Sequence, residues 1–136
     1  MLQVKSYAGS YDKNEFYMIM GKYFAERIYR KRLPYLINDR DKIWHLFYLD
    51  DTLAGFAGIK LSKSSTNITD IYYLDNNNDI LEFMINFIVE TYKTETIKVL
   101  TNNSNEINVF KLYGFKEKGN KGSYKSLELG DDNWRK

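Results

Sequence analysis

Residues 67–100 read NITDIYYLDNNNDILEFMINFIVETYKTETIKVL, and this stretch decides the fold. Its first part, 67–74, is rich in β-branched and aromatic residues and predicts a strand. Its middle part, 79–93, predicts an amphipathic helix. The apolar stripe of that helix is formed by Leu81, Met84, Ile85, Ile88 and Tyr92. Residues 96–100 form a second short, β-branched strand, so the stretch as a whole predicts a right-handed parallel crossover.

The segments on either side of this crossover extend the sheet. In chain order they predict a strand at 3–7, helix within 14–32, strands at 43–49 and 53–61, a helix at 103–112, and strands at 115–118 and 124–129. We expect Gly21 to divide the 14–32 segment into two helices, and Asn103 with Glu106 to form a capping box. We expect Gly55 and Gly58 to leave space above the sheet. The result is a mixed α/β domain with about seven strands and about four helices.

Composition excludes several classes of protein. The chain has 136 residues, no cysteine, one histidine and a net charge of +2. Without cysteine there is no disulfide or thiolate nucleophile, and the single His45 excludes a multi-histidine metal cluster. A Ser-His-Asp hydrolase needs only one histidine, so the residue counts do not exclude this class. We expect one domain over residues 1–130 that needs no metal, followed by a frayed tail at 131–136.

Hydropathy and charge indicate where the protein acts. No run of 18 apolar residues is present, and the N-terminus lacks the apolar core of a signal peptide, so we expect a cytoplasmic protein without membrane contact. The densest basic stretch contains Arg27, Arg30, Lys31 and Arg32. It is either a solvated helix end or a contact for an anionic partner such as nucleic acid.

Two segments carry a resemblance to a known family. Residues 48–58 read YLDDTLAGFAG and residues 103–115 read NSNEINVFKLYGF. In this order and separation they resemble the "dg.ivGfa.l" and "N..A..lYeklGF" segments of the GCN5-related N-acetyltransferase (GNAT) family. The resemblance implies a mostly antiparallel twisted sheet whose central parallel pair of strands splays apart. It also implies transfer of an acyl group from acetyl-CoA, or another acyl-CoA, to an amine on a small molecule or protein.

The resemblance places the CoA site at the splay and at the start of the following helix. The residues that it implies are Tyr73, Leu74, Asn76, Asn77, Asn78, Asp79, Ile80, Asn103 and Phe110. Helix N-termini attract phosphate through unpaired N–H groups and the helix dipole. The loop here has no glycine and no arginine. Residues 76–79 are therefore either a pyrophosphate cradle or an ordinary polar turn that ends in a helix cap.

The resemblance also suggests catalytic residues. A backbone N–H near Leu74 would polarise the thioester carbonyl, and Asp70 occupies the place of the carboxylate base on the fourth strand. Asp70 is otherwise a solvated strand carboxylate. His45 is either a second candidate base or a packed core histidine. The tyrosine that often protonates the CoA thiolate is replaced by Phe110, so the proton would come from water or another tyrosine.

Two further functions stay open besides acyl transfer. The missing loop glycines and Phe110 favour a degenerate GNAT fold that acts as a non-catalytic binding module. The basic stretch favours a member of the family that acts on nucleic acid. The sequence is compatible with a monomer or a homodimer.

Overall fold

A computed structural model describes residues 2–26, 33, 36, 38, 41–93 and 95–130. The basic stretch at 27–32 and the tail at 131–136 lie outside the described residues. Within them the elements are, in chain order, β1 (Leu2–Tyr7), α1 (Lys13–Ala25), β2 (Lys42–Leu49), β3 (Thr52–Leu61), β4 (Ser65–Tyr73), a 3-10 turn (Leu74–Asn76), α2 (Asn78–Thr91), β5 (Thr96–Thr101), α3 (Ser104–Leu112), β6 (Lys116–Lys121) and β7 (Tyr124–Leu129).

The seven strands form one sheet in the order β1-β2-β3-β4-β5-β7-β6. Strands β4 and β5 are parallel, and every other neighbouring pair is antiparallel. Helix α2 connects β4 to β5, as expected for a parallel crossover. The predicted mixed α/β architecture, with a parallel central pair, is confirmed.

Apolar layers cover both faces of the sheet. Helices α2 and α3 pack on one face, which we call the α2/α3 face, and α1 packs on the other, the α1 face. Strand β2 serves both layers, because Trp44 and Leu46 are fully buried on the α1 face and Phe47 is fully buried on the α2/α3 face. Strand β2 is therefore buried on both sides.

Polar side chains set the helix starts. Asp12, Asn77 and Asn103 are the N-caps of α1, α2 and α3, and each accepts a backbone hydrogen bond from the first turn of its helix. The cap of α2 is therefore Asn77, whereas the sequence pattern pointed to Asn78 or Asp79. At the other end of α3, Gly114 adopts a φ of 95°, which a left-handed helix stop requires.

Three expectations about glycine are corrected. Helix α1 runs unbroken through Gly21, because burial of its apolar side outweighs the cost of one helical glycine, about 1 kcal/mol. The space above Gly55 and Gly58 is filled: an added Cβ would lie 2.8 Å from Met84 Sδ at Gly55 and 2.5 Å from Asp70 Oδ2 at Gly58. Gly119 belongs to β6, where it adjoins a register shift, so the β6–β7 turn falls later than predicted, at residues 122–123.

Candidate active site

The parallel pair β4–β5 comes apart halfway along its length. Its pairing runs from Ser65 opposite Thr96 to Ile68 opposite Val99, although β4 continues to Tyr73. The separation begins where the register of β4 against β3 shifts: Ile68 pairs with Ile59 and Asp70 with Gly58, which leaves Thr69 as an extra residue. Such a bulge bends its strand and increases its twist. Beyond it, 70–73 pair with β3 alone among the described residues, and β4 exposes an unpaired edge toward β5.

This gap opens earlier than expected. Leu74, the predicted splay point, begins the 3-10 turn after β4 and is 36% exposed. The backbone that faces the gap belongs to 69–73 instead. The bulge is a property of how β3 and β4 pair, so the residues of β4 alone carry no signal for it.

Two cavities meet at the gap. The larger, which we call the groove, has a volume of about 1140 Å³ and lies along β4, β5 and the β6–β7 hairpin. Its lining includes residues 67–71, 98–103, 118–121, Glu106, Tyr124 and Ser126. The smaller, the asparagine cavity, has a volume of about 430 Å³ and is lined by Tyr73, Asn76, Asn78, Asn103, Ser104 and Asn105. Asn103 lines both, so the two cavities adjoin at the start of α3.

A buried carboxylate bridges the gap. The Tyr73 hydroxyl donates to Glu106 Oε2 at 3.0 Å, and the Thr101 hydroxyl donates to Glu106 Oε1 at 2.9 Å. Tyr73 ends β4 and Thr101 ends β5, so Glu106 on α3 connects the two strands where they have separated. Glu106 is only 6% exposed, and it lines the groove.

Glu106 was missed as a site residue. The sequence suggested only its part in a capping box, and half of that box forms, because Asn103 Oδ1 accepts from the Glu106 N–H at 2.9 Å. The carboxylate itself turns toward Tyr73 and Thr101. Two signals were present: Glu106 lies four residues before Phe110 on the buried side of α3, and the family pattern has alanine at its position. A charged residue on an apolar stripe needs a partner, and here the partners are hydroxyls.

Asp70 is buried on the α1 face. Lys42 Nζ lies 2.8 Å from Asp70 Oδ2, and the Thr69 hydroxyl donates to the same oxygen at 2.7 Å. Both side chains of the ion pair are at most 5% exposed. The carboxylate lines the groove, which its predicted role requires, but it is an ion-paired group and not the solvated one that was the alternative.

His45 lies on the α2/α3 face, two strands from β4. Its Nδ1 and Nε2 are hydrogen-bonded to the Ser6 hydroxyl at 2.6 Å and the Tyr92 hydroxyl at 2.7 Å. Burial lowers the pKa of His45 to about 4. His45 lines neither cavity, so its position matches the packed core histidine that was the other possibility.

The start of α2 is a capped polar turn. Asn77 Oδ1 accepts from the N–H groups of Asp79 and Ile80 at 2.8 and 3.2 Å. Asp75 and Asn76 before it have left-handed φ values of 54° and 53°. The cap occupies two N–H groups that a phosphate would otherwise use. Further donors at this end are the side-chain amides that line the asparagine cavity.

Asparagines also connect the two helix starts. The side-chain amide of Asn78 at the start of α2 pairs reciprocally with that of Asn105 in the first turn of α3, at 2.6 and 3.3 Å. This pair lines the asparagine cavity. The N-termini of α2 and α3 both lie at this cavity, so the positive ends of both helix dipoles are close to it.

Phe110 is fully buried and packs edge-on against Phe115 at a centroid distance of 4.9 Å. The neighbouring Tyr113 donates to Glu82 at 3.3 Å, away from the gap. The two tyrosines at the end of β4 face opposite sides of the sheet. Tyr72 stacks on Phe56 on the α1 face, and it is the Tyr73 hydroxyl that reaches the gap.

The described residues contain neither a membrane-spanning helix nor a cluster of metal-ligating side chains. None of their helices has the length and apolar character to span a bilayer. Within the same ranges no group of three His, Cys, Asp or Glu side chains is placed to hold a metal ion.

Comparison with known proteins defines the fold. No family model matches the sequence, and no curated protein matches it either. Many solved structures match, and they show that the chain has the fold of the GCN5-related N-acetyltransferases. The sequence identities of the three named next are 13–15%, so the likeness is one of fold.

Three of the matching structures come from Campylobacter jejuni, Escherichia coli and Bacillus subtilis. The Campylobacter jejuni N-acetyltransferase PseH in complex with acetyl coenzyme A is 15% identical, with a TM-score of 0.63 over 97% of this chain and 100% of that one. Escherichia coli ElaA is 13% identical, with a TM-score of 0.67 over 94% of this chain and 99% of that one. A Bacillus subtilis acetyltransferase in complex with CoA is 14% identical, with a TM-score of 0.63 over 94% and 99%.

Proposed function

We propose that this protein is an acyl-CoA-dependent N-acyltransferase, which transfers an acetyl or related acyl group to an amine by direct attack. One observation carries the proposal: the parallel pair separates after Ile68 and Val99, and a groove runs through the gap. An unpaired strand edge beside a cavity can hydrogen-bond an extended ligand as a further strand would. Two of the structural neighbours named above hold acetyl coenzyme A or CoA.

In this proposal the pantetheine chain of acyl-CoA lies along the 69–73 edge of β4. Its pyrophosphate lies at the asparagine cavity, beside Leu74 and the 76–80 segment. Asn76, Asn78 and Asn103 supply neutral amide donors there, and two helix N-termini supply positive dipole ends. The acceptor amine approaches through the groove, on the side of Asp70.

Two carboxylates of the groove are candidates for the base that takes the amine proton. Asp70 is held by Lys42, and Glu106 is held by two hydroxyls. When the amine nitrogen bonds to the acyl carbon, the carbon–sulfur bond breaks, the amine loses a proton and the thiolate gains one. We assign the thiolate proton to the Tyr73 hydroxyl, which Glu106 can reprotonate across their 3.0 Å hydrogen bond after it has taken the amine proton. A tyrosine on β4 would then replace the one that is missing at Phe110.

The first test is binding of acetyl-CoA by the purified chain. At 100 times its dissociation constant, a ligand that binds only the folded state stabilises it by about 2.7 kcal/mol, which a thermal melt detects. Ser104→Trp should fill the asparagine cavity from an exposed position and remove the shift, whereas Asn108→Trp, exposed on the same helix but outside both cavities, should retain it. No shift of the unaltered protein at millimolar acetyl-CoA would overturn the proposal.

The second test separates the two carboxylates. Release of free CoA in the presence of amines is followed as a function of pH in Asp70→Asn and Glu106→Gln. The variant that has lost the base should lose kcat while it still binds acetyl-CoA, because the base acts only in the chemical step. If both variants keep the activity and pH profile of the unaltered protein, neither carboxylate is the base.

A binding module without catalysis is the second candidate. It is favoured by the Asn77 cap, which occupies the N–H groups of Asp79 and Ile80, and by Glu106, which lies where the family pattern has a small residue. Binding of acetyl-CoA without acyl transfer to any amine of a broad panel would favour this function. The nucleic-acid function rests on Arg27, Arg30, Lys31 and Arg32 outside the described residues and stays a prediction.

A further inference from the structure

The groove carries a set of lysines that acyl transfer does not itself require. Lys98 on β5 and Lys118 and Lys121 on β6 line it. Lys98 alternates with Ile97 and Val99, which belong to the layer on the α2/α3 face, so its side chain lies on the opposite, groove side. In the ranges that the structure describes, none of these three lysines forms an ion pair with a carboxylate.

Other lysines of the same region are paired. Glu117 Oε1 lies 3.1 Å from Lys111 Nζ and 3.9 Å from Lys125 Nζ. The hydrogen bond from Lys111, with the charge of both lysines, lowers the pKa of Glu117. Lys111 and Lys125 thus lie outside the groove with a carboxylate beside them, whereas Lys98, Lys118 and Lys121 line the groove with no carboxylate of the described residues at ion-pair distance.

The carboxylates of the groove lie at its other end. Asp70 and Glu106 are beside the gap at β4, where the reacting amine would stand, and Asp70 is already neutralised by Lys42. In the strand order β4-β5-β7-β6, Lys98 is one strand away from β4 and Lys118 and Lys121 are three strands away. At about 4.8 Å per strand these steps are about 5 and about 14 Å. Between them the floor includes the half-exposed Leu100.

This arrangement is polarised: the reacting centre has two carboxylates that already have partners, and the lysines without a carboxylate partner extend from it across the sheet. A substrate that matches it has an amine at one end and a negative charge at the other. We propose, on the basis of the function proposed above, that the acceptor is an amine that also carries a phosphate or carboxylate group about 5–14 Å from the nitrogen. The lysines hold the anionic group, and the amine is thereby directed to the gap.

The proposal is tested with acceptors matched in pairs. Glucosamine 6-phosphate against glucosamine is the phosphate arm, and 6-aminohexanoate against hexylamine is the carboxylate arm. Because a charge-assisted contact contributes roughly a factor of 10 or more, we expect a kcat/KM at least about 10-fold higher for the anionic member of one pair or both. The preferred arm identifies the anionic group. The advantage should decrease as salt is added.

Charge-neutralising variants locate the effect. Lys118→Gln with Lys121→Gln should raise KM for the anionic acceptor about 10-fold and leave the neutral one unchanged. Lys111→Gln with Lys125→Gln is the matched control, because it removes the same charge from the paired lysines of the same region. Equal kcat/KM for anionic and neutral acceptors would overturn the inference and leave the acyltransferase intact, as would equal effects of the two double variants. Transfer to no amine at all would overturn both.

Discussion

Replacement of Lys42 by methionine removes the cation that faces the buried Asp70 carboxylate. The two charged atoms lie 2.8 Å apart, and both side chains are at most 5% exposed. Gly58 permits this arrangement, since any Cβ there would lie 2.5 Å from Asp70 Oδ2. The variant therefore leaves a carboxylate that is only 7% exposed without the cation that compensates its charge.

The expected loss follows from these distances. At an effective dielectric constant of about 20, two unit charges 2.8 Å apart attract by about 6 kcal/mol, most of which offsets their desolvation. Breaking a buried pair from one side typically costs about 3–5 kcal/mol of the free energy of unfolding. With a urea m-value of about 2 kcal/mol per M, the unfolding midpoint should fall by about 2 M.

The reasoning also predicts a recovery. The double variant Lys42→Met, Asp70→Asn carries no buried charge at the site, so it should be more stable than Lys42→Met alone. Lys5→Gln is the control, because it breaks an exposed Lys5–Glu15 pair at 3.3 Å and should change the midpoint far less. The argument fails if Lys42→Met loses no more than Lys5→Gln, or if the double variant loses the sum of its two single losses.

Three further predictions concern other parts of the molecule. Burial lowers the pKa of His45 to about 4 in the folded protein, against about 6.5 in the unfolded chain, so the unfolded chain binds the extra proton. The free energy of unfolding should therefore fall by about 2 kcal/mol between pH 7 and pH 5. Urea titrations should show this fall in the unaltered protein and its loss in His45→Asn, and a flat profile in the unaltered protein would contradict it. Gly21→Ala should raise the free energy of unfolding by about 0.5–1 kcal/mol, since nothing lies within 4 Å of the new Cβ. Gly55→Ala should lower the free energy of unfolding by about 1–3 kcal/mol, because its Cβ would lie 2.6 Å from the Tyr72 carbonyl oxygen. Thermal melts that rank the two variants in the reverse order would refute this. Tyr73→Phe should keep acetyl-CoA binding, measured by calorimetry, and lose kcat, measured by CoA release; unchanged kcat would remove Tyr73 as the proton donor.

Local patterns in the sequence predicted most of the elements. The alternation in β2 and the apolar stripe of α2 report burial directly, because side chains repeat every two residues in a strand and about every 3.6 in a helix. Their boundaries came within a few residues of those in the structure. The departures occurred where neighbours in space decide the outcome: α1 continues through Gly21 because one face of it is buried, and β6 extends through Gly119 because β7 pairs with it.

The candidate site was predictable only in part. Asp70 and the start of α2 were suggested as site residues by the resemblance to the GNAT family. The buried ion pair of Asp70 was not predicted, since its partner Lys42 lies 28 residues away in the chain. Glu106 carried a visible signal, a charge on an apolar stripe, but the hydroxyls that hold it come from two other elements.

The sequence by itself determined the order of strands and helices, the parallel crossover and the absence of any cysteine or histidine cluster. These properties depend on composition and on spacing within single elements. The tertiary structure alone decided where β4 leaves β5, which of two adjacent tyrosines reaches the gap, and which lysines line the groove without a carboxylate partner. Each of these depends on contacts between residues far apart in the chain, and such contacts leave no periodic trace in the segments that make them.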